Sequence, residues 1–324
     1  MGAVPTTEAR VFVAPTPEGQ RFLPEGPRPV VLGGREAVAW VNIQTAPDAT
    51  RGELHFRFAD TGERRVVPVP GRPGFLRPTD RPDTLFLGLT KEVGLFHVPS
   101  GAWQPLAAIP DQSERTIIND GEVVPGGRAV VFGTKDVKFA DPIAHLYLFA
   151  LDDWKITVLA GGQTCSNGKV IAADDGGLVL YDIDTPRRLV VRYRLDLQFR
   201  TLEDRGAAVD LRAVDGYPDG MADCGDGTVV IAFYDPDPRP AGRAGRYRLG
   251  TGEPVEDWTT PGSPRVTCPL LVKRDGGVKL ILTTAVEGMP PEMRSHCPNA
   301  GCLFIADTGL TEVPPAEVVR LGDS

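Results

Sequence analysis

The stretch Gly225-Asp226-Gly227-Thr228-Val229-Val230-Ile231-Ala232-Phe233 sets a tight polar turn directly against an unbroken apolar run. Gly tolerates positive φ and Asp bonds its own backbone, so both make turns, whereas Val, Ile and Phe suit a pleated, buried strand. The same pairing recurs along the chain. Pro125-Gly126-Gly127-Arg128 precedes Ala129-Val130-Val131-Phe132, Asp174-Asp175-Gly176-Gly177 precedes Leu178-Val179-Leu180-Tyr181, and Arg274-Asp275-Gly276-Gly277 precedes Val278-Lys279-Leu280-Ile281-Leu282. The turns are spaced by roughly fifty residues, a period found in propeller blades, and a chain of 324 residues holds about six such units.

Outward from these turns, apolar residues keep a period of two. Ala37-Val38-Ala39-Trp40-Val41-Asn42-Ile43, Glu53-Leu54-His55-Phe56-Arg57-Phe58, Thr84-Leu85-Phe86-Leu87-Gly88-Leu89, His145-Leu146-Tyr147-Leu148-Phe149 and Val190-Val191-Arg192-Tyr193 all read as strands. Helical spacing is confined to a short turn at 290–294. The fold class expected is all-β: a six-bladed β-propeller of four-stranded antiparallel blades. It is expected as a single domain over 1–324, with short irregular ends at about 1–8 and 312–324.

Composition narrows the function classes. A net charge of −8 disfavours nucleic acid and anionic membranes as partners. The apolar share of 41% and charged share of 24% are those of a folded chain. The start lacks a basic segment followed by an apolar one, so a cytoplasmic location is expected. Five cysteines (Cys165, Cys224, Cys268, Cys297, Cys302) are too few and too spread for a disulfide scaffold. Reduced thiols are expected, with a Cys297–Cys302 pair or a shared metal as the alternative. His55, His97, His145 and His296 show no metal-binding spacing. Gly245-Arg246-Tyr247-Arg248 and Pro186-Arg187-Arg188 read as solvated blade edges.

Four Gly-rich turns carry a polar side chain beside a strand: Leu23-Pro24-Glu25-Gly26-Pro27, Ile118-Asn119-Asp120-Gly121, Ser166-Asn167-Gly168 and Tyr217-Pro218-Asp219-Gly220-Met221. In this order and at these intervals, they resemble the SMP-30/gluconolactonase/regucalcin-like family of six-bladed propellers. The stretch Thr283-Thr284-Ala285-Val286-Glu287-Gly288-Met289, followed by Gly301-Cys302-Leu303-Phe304, is similar to that family's last blade. The likeness runs from about Leu23 to Thr308.

The resemblance implies one divalent cation at the channel mouth, held by Glu25, Asn167 and Asp219, with Asn119 facing substrate or metal-bound water. Oxygen donors of this kind suit calcium first, with magnesium, manganese or zinc as alternatives. The implied chemistry is hydrolysis of a lactone, a small-molecule substrate, with Asp219 and Asn119 as the catalytic residues. A sugar-like or specialised-metabolite lactone is expected, opened by a metal-polarised carbonyl and activated water. Two other readings stay open: a different metal-assisted reaction, such as phosphotriester hydrolysis, or a non-catalytic calcium-binding role. A monomer or small homo-oligomer is expected.

The chain departs from the family pattern where substrate would bind. Ile117 occupies the position of the usual substrate-contacting Arg two residues before the asparagine. Arg115 would lie on the same strand face, about 7 Å further along. Lys135-Asp136-Val137-Lys138 reads as a charged insert at the mouth, making Lys135, Asp136 and Lys138 candidate substrate contacts. Lys169, directly after Asn167-Gly168, is a further departure.

Overall fold

The computed structural model describes residues 4–322, and six antiparallel sheets follow one another in chain order. Blade one comprises Pro24–Leu32, Arg35–Asn42, Glu53–Phe58 and Arg64–Pro68. Blade two comprises Pro73–Pro78, Thr84–Leu89, Glu92–His97 and Ala102–Ala108. Blade three comprises Thr116–Val123, Ala129–Asp136, Ala144–Ala150 and Lys155–Gln163, and blade four Ser166–Asp174, Gly177–Asp184, Leu189–Asp196 and Thr201–Asp210. Blade five comprises Tyr217–Asp223, Thr228–Tyr234, Ala241–Arg248 and Pro254–Pro261. Blade six takes Val266–Arg274, Gly277–Thr284 and Leu303–Asp307 from the end of the chain, and Arg10–Val13 from its beginning as the outermost strand. The fold is a six-bladed β-propeller.

The first strands of neighbouring blades touch in succession all the way round, so they line the central axis. The inner strands are not alternating but buried at nearly every position, which gives each blade two apolar faces, and those faces meet the next blade. The core is accordingly a ring of wedges, one between each adjacent pair of blades. Outer strands such as Lys155–Gln163 and Thr201–Asp210 face solvent along much of their length.

Several expectations are refined. The irregular start expected at about 1–8 instead includes the strand Thr6–Glu8, which pairs in parallel with Pro254–Pro261 and gives blade five a fifth strand. Residues 1–3 and 323–324 lie outside the described residues. The short helix falls at Pro291–His296 and packs Met293 and Cys297 against Val286 and Ala300. All five cysteines are free and buried, so Cys297 and Cys302 do not pair. Gly245 to Arg248 is not a blade edge: the strand Ala241–Arg248 is bonded on both sides, and Arg246 is tied to Asp226 at 2.5 Å.

Candidate active site

Each of the six axial strands loses register against its neighbour near its start. The breaks fall between Glu25 and Arg28, Pro73 and Phe75, Ile118 and Gly121, Ser166 and Lys169, Pro218 and Met221, and Val266 and Pro269. A bulge leaves one or two residues without ladder partners and re-aims their side chains. Those freed residues include Asn119, Asp120, Asn167 and Asp219, while Glu25 immediately precedes its own break. The four turns singled out in the sequence therefore occupy equivalent places on four blades, at one end of the channel.

Close packing at these bulges needs glycine. A Cβ at Gly220 would sit 2.6 Å from Cys268 Sγ and 2.7 Å from Cys268 Cα, and one at Gly168 would run into the backbone of Met221. Glycine lets neighbouring axial strands approach closely enough to bring Asn167, Asp219 and the start of blade six together.

Hydrogen bonds join the ring across blades. Asn119 Nδ2 donates to Ser166 O at 3.0 Å and reaches Asn167 Oδ1 at 3.4 Å. Asn167 Nδ2 donates to Thr185 Oγ1 at 3.0 Å, and Thr185 donates in turn to Pro218 O at 2.9 Å, next to Asp219. Thr267 Oγ1 donates to Pro24 O at 2.7 Å, bracing the strand that carries Glu25. Lys169 is buried below this layer, 3.1 Å from Asp182 and 2.6 Å from the carbonyl of Asn167. It supports Asn167 from behind.

Asn119, Asn167 and Asp219 are each 6% exposed. Burial raises the pKa of Asp219 well above the usual carboxylate range, and Glu25 pushes it further. Glu25 is raised by burial and by the Asp120 carboxylate. Glu287 adds to both, while Lys135 opposes both shifts. Two carboxylates that desolvate and repel one another in this way call for a shared counter-charge.

The donor chemistry fits a hard divalent cation. Asp219 Oδ1 is buried and, among the described residues, has no hydrogen-bond partner, a costly state for a carboxylate oxygen unless a ligand completes it. Glu25 and Asn167 add oxygen donors from adjoining bulges, the ligand types calcium and magnesium prefer. Among the described residues, no three His, Cys, Asp or Glu side chains gather into a metal centre by themselves, so the set depends on an amide oxygen. Cys165 and Cys268 adjoin the ring, but burial raises both thiols and keeps them protonated.

The substrate candidates separate. Ile117 is buried, and Lys135 stands directly opposite it in the ladder. Arg115 lies in the turn before Thr116–Val123, not on the strand face expected for it, and binds Asp136 at 2.5 Å and Asp141 at 2.8 Å. Asp136 is also corrected. Fully buried, it accepts the backbone N–H groups of Lys138, Ala140 and Asp141, so its oxygens are spent on its own loop. Lys135 and Asp136 belong to the strand Ala129–Asp136, and the loop begins only after them. Lys138 is exposed on that loop.

The structure adds residues that the sequence did not single out. Thr185 and Thr267 brace the ligand-bearing strands, and Cys165 lies 3.8 Å and 3.7 Å from the amide nitrogens of Asn119 and Asn167. The segment after Thr284 folds over the start of blade one, where Val286 and Glu287 donate to the carbonyl of Phe22. Tyr234 holds the carbonyl of Glu287 at 2.7 Å. No local signal marks these residues, because each acts through a blade distant in sequence.

Comparison with known proteins agrees with this architecture. The chain is 26% identical to an L-arabinolactonase from Azospirillum brasilense over 274 residues, covering 84% of each protein. It is 28% identical to regucalcin from Danio rerio over 214 residues, 65% of this chain and 69% of that one. The crystal structure of a calcium-binding protein, regucalcin, from Agrobacterium tumefaciens superposes with a TM-score of 0.80 at 21% identity, covering 98% of this chain and 99% of that one; it bears on the fold alone. The model of the SMP-30/gluconolactonase/LRE-like region matches residues 23–286, and with the six blades and the ring of bulges on the axis, the chain belongs to that family.

Proposed function

We propose that this protein is a divalent-metal-dependent hydrolase that opens the ring of a small-molecule lactone. The observation that supports this reading is the convergence of Glu25, Asn119, Asn167 and Asp219 from four axial bulges around an unpartnered carboxylate oxygen. Glu25, Asn167 and Asp219 would hold the cation, calcium first among the hard ions; bound there, it supplies Lewis-acid polarisation of the ester carbonyl.

The chain's own groups do the rest. Asn119, its Nδ2 committed to Ser166 O, keeps its Oδ1 to accept a substrate hydroxyl. The Asp219 carboxylate accepts a hydrogen bond from water and takes its proton as the water oxygen attacks the carbonyl carbon. The ring C–O bond then breaks, and that proton passes to the leaving oxygen, giving a hydroxy acid.

The test is acid release from a panel of γ- and δ-lactones with chelator, then with calcium, magnesium, manganese or zinc restored. Wild type and Asp219→Asn are compared. Turnover should vanish with chelator, return with one or more cations, and fall by about 100-fold or more in the variant. A folded protein that binds calcium and opens no lactone under any cation would overturn this reading in favour of a non-catalytic calcium-binding role.

A further inference from the structure

Lys135 is a lysine whose stem the fold buries while its ammonium, among the described residues, is left without an ion pair. It is 8% exposed, on the second strand of blade three, directly opposite Ile117. An isolated antiparallel bridge joins it to Cys165 at the entry to blade four, and Cys165 Sγ touches the amides of both Asn119 and Asn167. The lysine is thus seated between the blades that carry those two asparagines. The Phe139 ring lies 5.8 Å from its ammonium, and among the described residues that ammonium has no ion pair and no hydrogen-bond acceptor.

Lys138 is exposed on its loop, and the other five lysines have partners. Lys169 is buried with Asp182 at 3.1 Å, Lys91 donates to Ser113 O at 2.7 Å, and Lys155, Lys273 and Lys279 each pair with a carboxylate. The Lys135 ammonium is not among the buried nitrogens that lack a partner, so it reaches the open site, where an anionic ligand can pair with it.

Formal charges around the site and down the channel bear on what that ligand carries. Asp120 and Glu122 are matched by Arg28 and Arg77, with Arg28 to Glu122 at 3.0 Å and Arg77 to Glu122 at 3.1 Å. Among the described residues Glu287 has no ion pair, and it lies within electrostatic reach of Arg72. Glu25 and Asp219 balance a divalent cation. Lys135 is the cationic side chain that acts on both of these carboxylates, and among the described residues it has no ion pair of its own. A single ammonium, with no arginine fork beside it, suits a single carboxylate.

We propose that Lys135 selects lactones bearing a second, ionised carboxylate on a ring substituent, in place of the neutral lactones that an apolar residue would leave equally acceptable. The proposal rests on the hydrolase reading for its substrate, and its test separates the two. The γ-lactone of glucaric acid is compared with the γ-lactone of gluconic acid by kcat/KM. Binding of glucarate and gluconate is measured by calorimetry with calcium in excess and the blank titration subtracted. The variants are Lys135→Met, Lys135→Gln as a second neutral form, and Lys135→Arg, each first shown to melt cooperatively.

Wild type should favour the carboxylate-bearing member of each pair by about tenfold or more. The neutral variants should bring both ratios close to one, and Lys135→Arg should keep them well above one. Equal handling of the two members by wild type, or a preference that survives in both neutral variants, overturns the assignment. If neither lactone opens but the glucarate preference is present in wild type and lost in the neutral variants, Lys135 keeps its role and the hydrolase reading falls.

Discussion

The Asp136 carboxylate binds the Arg115 guanidinium at 2.5 Å and three backbone N–H groups at 3.0 to 3.1 Å, all while fully buried. Burial pushes its pKa up, but Arg115 and the N–H donors win and hold it well below the usual carboxylate range. A carboxyl group lowered on folding contributes stability that is complete above its unfolded pKa of about 4 and is lost as the pH falls through the lower folded value. Asp136→Asn should therefore flatten the acid limb of the melting temperature below about pH 4 and cost about 1–3 kcal/mol at neutral pH. Thermal melts from neutral to acid pH check this, and an unchanged acid limb would refute it. The adjacent Lys135 lies next in the same strand with its ammonium unpaired. That contrast explains why a charged run that reads as one insert divides into a structural anchor and a candidate contact.

At the scale of the strand, the bulge is the device that makes the site. A regular ladder would alternate Asn119, Asn167 and Asp219 into blade faces, whereas the freed residues are turned out of it. The packing that permits this is tight at Gly220, where an added Cβ would meet the Cα of Cys268, a backbone atom that no side-chain rotation can move. Gly220→Ala should cost about 1–3 kcal/mol by overpacking and displace Asp219 with the strand. Calorimetric melting together with calcium titration reads both effects. Calcium affinity and melting temperature equal to wild type would show that the contact has room to spare. Strands and turns were readable from the local pattern, but the register breaks were not, since each adds a single residue inside a stretch such as Asn119-Asp120 or Asn167-Gly168 that reads equally well as a turn.

At the scale of the molecule, the ring is closed by its own ends. Arg10–Val13 covers the strand Leu303–Asp307, whose first four residues are buried. After Asp307 the chain crosses the far face of the propeller, where Val319 pairs with Thr79, Arg320 bonds Gly127, and Val319 and Leu321 enter the wedge between blades two and three. Residues 313–317 cap a cavity of about 490 Å³ lined by Arg28, Arg77, Glu122 and Lys169, so the channel is covered opposite the candidate site. Deleting the chain through Val13 should leave an apolar edge strand unpaired. The product should then aggregate and lose its cooperative melt. Size-exclusion chromatography and calorimetry check this, and a monomer that melts as wild type does would show that blade six closes without its fourth strand.

By itself the sequence determined the all-β class, the blade period and the four turns at Glu25, Asn119, Asn167 and Asp219, because alternation and turn chemistry are properties of neighbouring residues. Tertiary structure alone decided which charges near those turns are free. Arg115 is consumed by Asp136, Asp120 and Glu122 by arginines of other blades, and Lys135 is left over. It also decided that the chain's beginning completes its last blade and that its end covers the channel. These outcomes depend on pairings between residues tens to hundreds of positions apart, and a local pattern carries no record of which partner a charge or a strand edge will meet.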